Sequence, residues 1–270
     1  MAGKSQQGIA LLAVLWILIL LSFVAAVLIL DTHSSARIAR NMAESASARM
    51  AADAGIQRAI LDIQAAVRTP GDAGPLRADG TVYTWRFAGC TVRLSIQDQL
   101  GKVNLNQAPA ELLAALIMST GVVPEKAQAL ADAIADFRDP DNLRRPHGAE
   151  QAEYEEAGQK WGPANAPFQT VEELQQVLGM TPELYQRLAP DLTTYTLGMA
   201  VNPSAAGERL SGILRAAGFR YFGPQAARVY SIRAEATSSR GSAFVREAVV
   251  QFPPEGDNPA IVLWQQSALD

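Results

Sequence analysis

One cysteine, Cys90, and two histidines, His33 and His147, are all the soft metal ligands this chain has. A lone thiol rules out an intramolecular disulfide in any compartment, and with the histidines far apart in sequence too few ligands remain for a zinc or iron site. A surplus of positive charge is missing as well. The 23 Lys and Arg residues face 27 Asp and Glu, a formal net charge of -4. No global basic field exists to recruit nucleic acid or anionic lipid, which points to other proteins as partners. Also absent are a G-x-S-x-G elbow, a P-loop, an H-E-x-x-H pair and a histidine-based triad. Ser204 and Ser211 beside Glu208 carry no distinctive spacing and read as a helix surface. No catalysis is expected, and among metals only a hard, oxygen-bound cation stays open.

Charge is missing altogether from Ile9 to Leu30, where Ser22 is the only hydroxyl. About 22 residues at 1.5 Å each span roughly 33 Å, the hydrocarbon thickness of a bilayer. The run is longer than a signal-peptide core and no small-residue cleavage pattern closes it, so residues 9–30 read as a transmembrane helix. Lys4 on one side and Arg37 and Arg40 on the other are too evenly matched to set an orientation. Helical character continues to residue 68, with no proline and one glycine, Gly55, among many alanines. Ile56, Ile60, Ile63 and Val67 form an apolar stripe that calls for a sheet to cover it. Pro70, Gly71, Gly74 and Pro75 end the helix.

Lys4-Ser5-Gln6-Gln7-Gly8 followed by Ile9-Ala10-Leu11-Leu12-Ala13-Val14-Leu15-Trp16 resembles a type IV prepilin-like leader (residues 1–8) and the start of a mature pilin helix. The resemblance implies that a membrane prepilin peptidase cuts between Gly8 and Ile9 and methylates the new amine. Most pilins and pseudopilins carry glutamate at the fifth mature position. This chain has Ala13, a departure shared by the K-type minor pseudopilins of type II secretion. A carboxylate buried in lipid is costly unless paired, and in the family it is thought to pair with a neighbour's amine. A subunit without it suits a fibre tip.

Thr81–Ala88 and Cys90–Asp98 are rich in β-branched and aromatic residues and read as a hairpin about Gly89. Arg228–Thr237 and Ala243–Phe252 form a second around Ser238-Ser239-Arg240-Gly241, and Ile261–Gln265 a further strand. Helix stripe plus antiparallel strands gives an α+β, pilin-like fold, with sheet at 81–105 and 228–266. The intervening 106–200 reads as an inserted α-helical domain. Helices are expected at Pro109–Met118 and Pro124–Phe137, after a capping box at Thr170-Val171-Glu172-Glu173, and from Thr181-Pro182. GKVNLNQAP (101–109), DFRDPD (136–141), Gly148-Ala149-Glu150 with Tyr154, ANAPF (164–168), EELQQVLGM (172–180) and Pro190 follow the order of the K-type family. Similarity to that family covers nearly the whole chain. The second asparagine repeat is reduced to Val201-Asn202-Pro203, which shortens the insertion.

From Asp132 to Glu156 eight acids face three arginines. Oxygen donors at this density suit Ca²⁺, which tolerates irregular loops better than Mg²⁺ does, although no EF-hand spacing is present. On spacing alone a solvated acidic loop fits as well. The K-type resemblance implies calcium here, with Asp139, Asp141 and Glu150 first among the ligands and Asp136, Glu153 and Asn165 after them. Such an ion would pin a loop that Pro140, Pro146 and Gly148 leave without regular hydrogen bonding. A rival reading is a nucleic-acid binder, because 118–134 resembles a helix-hairpin-helix with Gly121 in the hairpin. Residues 101–200 hold seven Lys and Arg against fourteen Asp and Glu, a balance that repels phosphate. The expected protein is a single-pass inner-membrane subunit with its body in the periplasm. The resemblance implies I- and J-type minor pseudopilins as partners and a role in capping and priming a pseudopilus.

Overall fold

The structure, a computed structural model, describes residues 6–68, 76–196, 198, 201–202, 205–219, 228–253 and 259–267. Leader residues 1–5, the expected helix terminators at 70–75, Pro203 and Ser204 lie outside the described residues, as do the side chains of Gly8, Ile9 and Val67.

Alanine-rich and free of proline, the N-terminal segment forms one helix, α1 (Gln6–Arg68), which at 1.5 Å per residue is about 95 Å long. Its two halves live in different surroundings. From Leu11 to Val24 the large apolar side chains are 47–76% exposed. From Ala48 onward a face of small and β-branched residues is buried: Ala51, Ala52, Ile56, Ala59, Ile60 and Ile63. The sheet under that face comprises β1 (Asp79–Phe87), β2 (Cys90–Asp98), β5 (Arg228–Ser238), β6 (Ala243–Phe252) and β7 (Ala260–Ser267), every pairing antiparallel, in the order β1-β2-β5-β6-β7. Strict alternation sends Val92, Leu94 and Ile96 of β2 and Ile232, Ala234 and Ala236 of β5 against the helix. Each isoleucine withdrawn from water here contributes roughly 1.5–3 kcal/mol. Gly55 is where helix and sheet come closest. A Cβ there would lie 3.1 Å from both Ala234 Cβ and Val92 Cγ1. On β6, Arg246 Nε donates to Asp53 Oδ1 of α1 at 2.7 Å, and its guanidinium lies over the rings of Phe244 and Trp264.

Between β2 and β5 the chain builds a second core. β3 (Val103–Asn104) pairs in parallel with β4 (Leu192–Thr193). Around this short ladder pack α2 (Ala110–Met118), α3 (Pro124–Arg138), α4 (Gln151–Glu156), α5 (Pro182–Leu188) and α6 (Glu208–Ala216), with 3-10 turns at Gln99–Gly101, Val171–Gln176 and Ala189–Asp191. Leu105, Leu113, Leu116, Ile134, Phe137 and Phe168 are among its buried members.

The region departs from expectation in three ways. Residues 103–105, expected with the large sheet, belong to the second core instead, because Val103 and Leu105 are buried among the helices. The segment after Thr170 is a 3-10 turn without a capping box: the Thr170 side chain caps nothing, and the Glu173 carboxylate accepts from Gln169 N–H at 3.2 Å. Finally, 139–150 and 157–170 carry no helix, and each stretch holds two prolines that oppose one, Pro140 and Pro146 in the first and Pro163 and Pro167 in the second.

Candidate functional site

The acidic loop begins where α3 ends. Desolvation confines polar side chains to places where partners exist, yet α3 carries Asp132 and Asp136 on its buried side. Asp136 is fully buried and accepts from Arg145 N–H at 3.2 Å, with Arg145 Nε 3.3 Å away. Gly148 closes over this carboxylate, and any side chain there would run into Asp136 Oδ2. Asp132 takes hydrogen bonds from Gln128 Nε2 at 2.8 Å and His147 N–H at 3.3 Å. Glu153 is engaged twice, by Glu150 N–H at 3.0 Å and by Arg144 at 3.2 Å. Asp141 is exposed and accepts from Leu143 N–H at 2.8 Å.

Four oxygens remain. Asp139 Oδ1, both carboxylate oxygens of Glu150 and Asn165 Oδ1 are shut off from solvent and accept no hydrogen bond. An orphaned buried acceptor costs about 1–3 kcal/mol, and more when charged. Asp139 Oδ2 is held by Arg145 at 3.1 Å, so only its other oxygen is left over. Electrostatics makes the same point. Burial first, then the proximity of Asp136, Asp139, Asp141 and Glu153, raises the Glu150 pKa above its ordinary value. Burial and Asp141 do the same for Asp139, and burial for Asp136. Glu153 moves the other way, lowered chiefly by the backbone N–H it accepts from.

Asn165 reaches this loop from a distant segment through a clamp in the second core. Asn106 Nδ2 donates to Phe168 O at 2.9 Å, and Phe168 N–H donates to Asn106 Oδ1 at 2.8 Å. Phe168 stacks on Phe137 of α3 at 4.8 Å. Asn165 sits at φ 47 and donates from Nδ2 to Asn142 Oδ1 at 2.7 Å, which leaves its own Oδ1 unpaired. Arg138 braces the site from behind by donating to the carbonyls of Leu105 and Ala108. Tyr154 of α4 is wholly buried and accepts Leu178 N–H at 2.9 Å; burial pushes its pKa up to about 12.

Among the described residues no group of three or more His, Cys, Asp and Glu side chains is arranged to hold a metal by itself. The leftover acceptors are instead two carboxylates and one amide, all hard oxygens. Calcium accepts that mixture and completes its shell from carbonyls and water, so the donors present fit it. Of the six residues expected from the sequence, Asp139, Glu150 and Asn165 carry the free oxygens, whereas Asp136, Asp141 and Glu153 are engaged in hydrogen bonds or ion pairs. Sequence reasoning missed the Asn106 clamp and the neutralising role of Arg145. Asn106 lay within the motif 101–109, but no local signal ties it to Phe168.

The α2–α3 hairpin suits a packing role. Gly121 turns at φ 92, Pro124 removes one N–H from the first turn of α3 and Glu125 places a negative charge there. Leu130, Ile134 and Phe137 bury the helix in the second core. A phosphate would meet an acid where it needs donors.

Residues 93–196 match the family model described as Type II secretion system (T2SS), protein K. Over 218 residues the chain is 30% identical to type II secretion system protein K of Klebsiella pneumoniae, covering 73% of this chain and 66% of that protein. Over 221 residues it is 25% identical to the protein of the same name from Pseudomonas aeruginosa, covering 75% and 66%. It spans slightly less than two thirds of the length of the curated relatives it matches, 62–66%. Its fold is shared with a chain from the crystal structure of the GspK-GspI-GspJ complex of the enterotoxigenic Escherichia coli Type 2 Secretion System, at TM-score 0.60 and 17% identity, covering 88% of this chain and 100% of that one.

Proposed function

Because the chain belongs to the type II secretion system protein K family, we propose that it is a minor pseudopilin that caps the tip of a periplasmic pseudopilus and primes its assembly for export of folded proteins. The observation that carries this reading is the two-part helix α1. Its C-terminal half is buried under a sheet, its N-terminal half shows apolar side chains on every side, and a helical body is set into the strand order. In a subunit so built the exposed apolar half of α1 is left for neighbouring helices, and the inserted helical body is the part that would cap the fibre.

Among the described residues no helix is long and apolar enough to cross a membrane. The apolar side chains described there run from Leu11 to Ala26, sixteen residues, where about 20 are needed. The proposed single-pass inner-membrane anchor therefore rests on the uncharged sequence Ile9 to Leu30. Cleavage by prepilin peptidase between Gly8 and Ile9, methylation of the new amine and storage in inner-membrane lipid with the body in the periplasm follow from the leader resemblance. Ala13 in place of the usual glutamate removes a carboxylate that a higher neighbour would have to pair, as suits a tip subunit.

The proposed cofactor is a structural Ca²⁺. Asp139, Glu150 and Asn165 would hold it, and Asp141 lies close enough to raise the Glu150 pKa. The ion supplies positive charge to carboxylates that burial has stripped of water, and so ties the loop after α3 to α4 and the 164–168 segment.

In the GspK-GspI-GspJ complex a K protein is assembled with I and J proteins, and I- and J-type minor pseudopilins are the proposed partners here. Pull-down of the processed, full-length chain with both is expected to recover a ternary complex; recovery of neither removes the tip assignment. Mass spectrometry of the mature N-terminus is expected to find methylated isoleucine, and an intact or differently cut terminus removes the leader reading.

A further inference from the structure

Between the second core and the face of the sheet away from α1 lies a cleft of about 360 Å³. Strand residues Arg233 and Glu247 line one side and form an ion pair across β5 and β6. Gln99 donates from Nε2 to Ser231 Oγ at 2.7 Å, which settles two further polar groups of that wall. On the helical side stand Glu172, Tyr185 and Tyr195. Lys102 enters from the segment that joins the two cores, just after the 3-10 turn Gln99–Gly101.

Lys102 stands out in this company. It is half-buried, and among the described residues no acid or carbonyl takes a hydrogen bond or ion pair from its ammonium. Burial alone lowers its pKa, so neither Glu172 nor Glu247 offsets the lost hydration. Keeping a half-buried cation that no acid is bonded to costs stability, and such a group marks a place where a ligand can supply the missing partner. The hydroxyls of Tyr185 and Tyr195 likewise have no partner among the described residues. Burial and Glu172 raise the pKa of both, so each keeps its proton and remains a donor at neutral pH.

We propose that this cleft binds a single carboxylate, paired to the Lys102 ammonium and hydrogen-bonded by the hydroxyls of Tyr185 and Tyr195. One negative charge fits better than two, because Glu172 on the same wall repels a dianion while Arg233 is already matched by Glu247. The carboxylate comes either from an acidic side chain of a partner protein or from a small free acid. The partner source rests on the pseudopilin reading above; the free acid does not.

The test uses the full chain in detergent with ¹³C-labelled lysine and acetate as probe, at constant ionic strength. The Lys102 signal is expected to titrate below those of the other lysines, and to shift saturably upward as acetate is added. Tyr195→Phe is expected to weaken acetate several-fold without changing the melting temperature in its absence. Lys102→Met is expected to abolish the acetate-induced rise in melting temperature. In the assembled complex with I- and J-type partners, a zero-length carbodiimide is expected to join Lys102 to a partner carboxylate if the acid is a partner's. Saturable acetate binding without that cross-link assigns the site to a free acid. A Lys102 that ignores acetate and forms no cross-link overturns the proposal, even where the partners assemble normally. Partners that fail to assemble overturn the pseudopilin reading instead, and the acetate titration still decides the cleft.

Discussion

Glu150 has two carboxylate oxygens hidden from water and no donor for either. Without an ion it is a liability, and with one it is a ligand, so a neutral replacement separates the two states. Glu150→Gln is expected to raise the melting temperature in chelator and to lose most of the rise that Ca²⁺ gives the parent protein. Asp139→Asn should shift both in the same directions, by less. A midpoint for the parent that is the same in chelator and in saturating Ca²⁺ removes the ion from the account. The sign of the pH dependence follows from the same carboxyls. Asp136, Asp139 and Glu150 have folded pKa values raised above the ordinary 3.8, 3.8 and 4.5. The native state then holds protons the unfolded chain has released. Stability from these groups is complete below the ordinary values and is lost as pH climbs through the raised ones. In chelator, the parent should therefore gain on Glu150→Gln as pH falls from 7 to 5, and in saturating Ca²⁺ it should lose ground over the same interval. Gly148→Ala forces a methyl against the buried Asp136 carboxylate and is expected to cost about 1–3 kcal/mol by chemical denaturation.

At the scale of elements, two close contacts do most of the positioning. Gly55 lets α1 settle onto β2 and β5, and Gly55→Leu is expected to destabilise the sheet body by roughly 1–3 kcal/mol, while leaving the calcium-dependent shift in melting intact. Asn106→Ala strands the N–H and carbonyl of Phe168. A loss of about 1–3 kcal/mol is expected, together with a several-fold weaker calcium response, because the 164–168 segment that carries Asn165 loses its anchor. A variant that melts lower yet binds calcium unchanged would separate the clamp from the ion. These elements also show what the sequence could and could not disclose. Strands with period-two patterning, the stripe Ile56, Ile60 and Ile63, and helices opened by Pro124 and Pro182 were legible, because local pattern and burial agree there. The five acids among the six candidate oxygen ligands were legible as a dense acidic stretch, whereas Asn165 came from the K-type resemblance alone. Which of them are free was not, since that depends on where Arg144 and Arg145 reach and on an amide 62 residues from the loop it holds. The missing capping box at Thr170 has a similar cause. Leu174, fully buried, holds the turn against the second core, and Glu173 is drawn to Gln169.

For the molecule as a whole, the exposed half of α1 and the folded body are separable. The buried face begins at Ala48, so a chain lacking residues 1–30 is expected to fold in solution. Its melting temperature and calcium response should match those of the full chain in detergent, while it fails to initiate fibres in a reconstituted secretion assay. Loss of folding on this truncation would show that the apolar half of the helix supports the body as well.

The strand pairing has a consequence for how such proteins can vary. Asp98 at the end of β2 is the register partner of Tyr230 near the start of β5, so the chain leaves the sheet and rejoins it at neighbouring points. Everything between them hangs from a gap that a tight turn could bridge. Helices can be added to or trimmed from that pendant without disturbing a single rung of the ladder, which makes the sheet a socket and the helical body an exchangeable head.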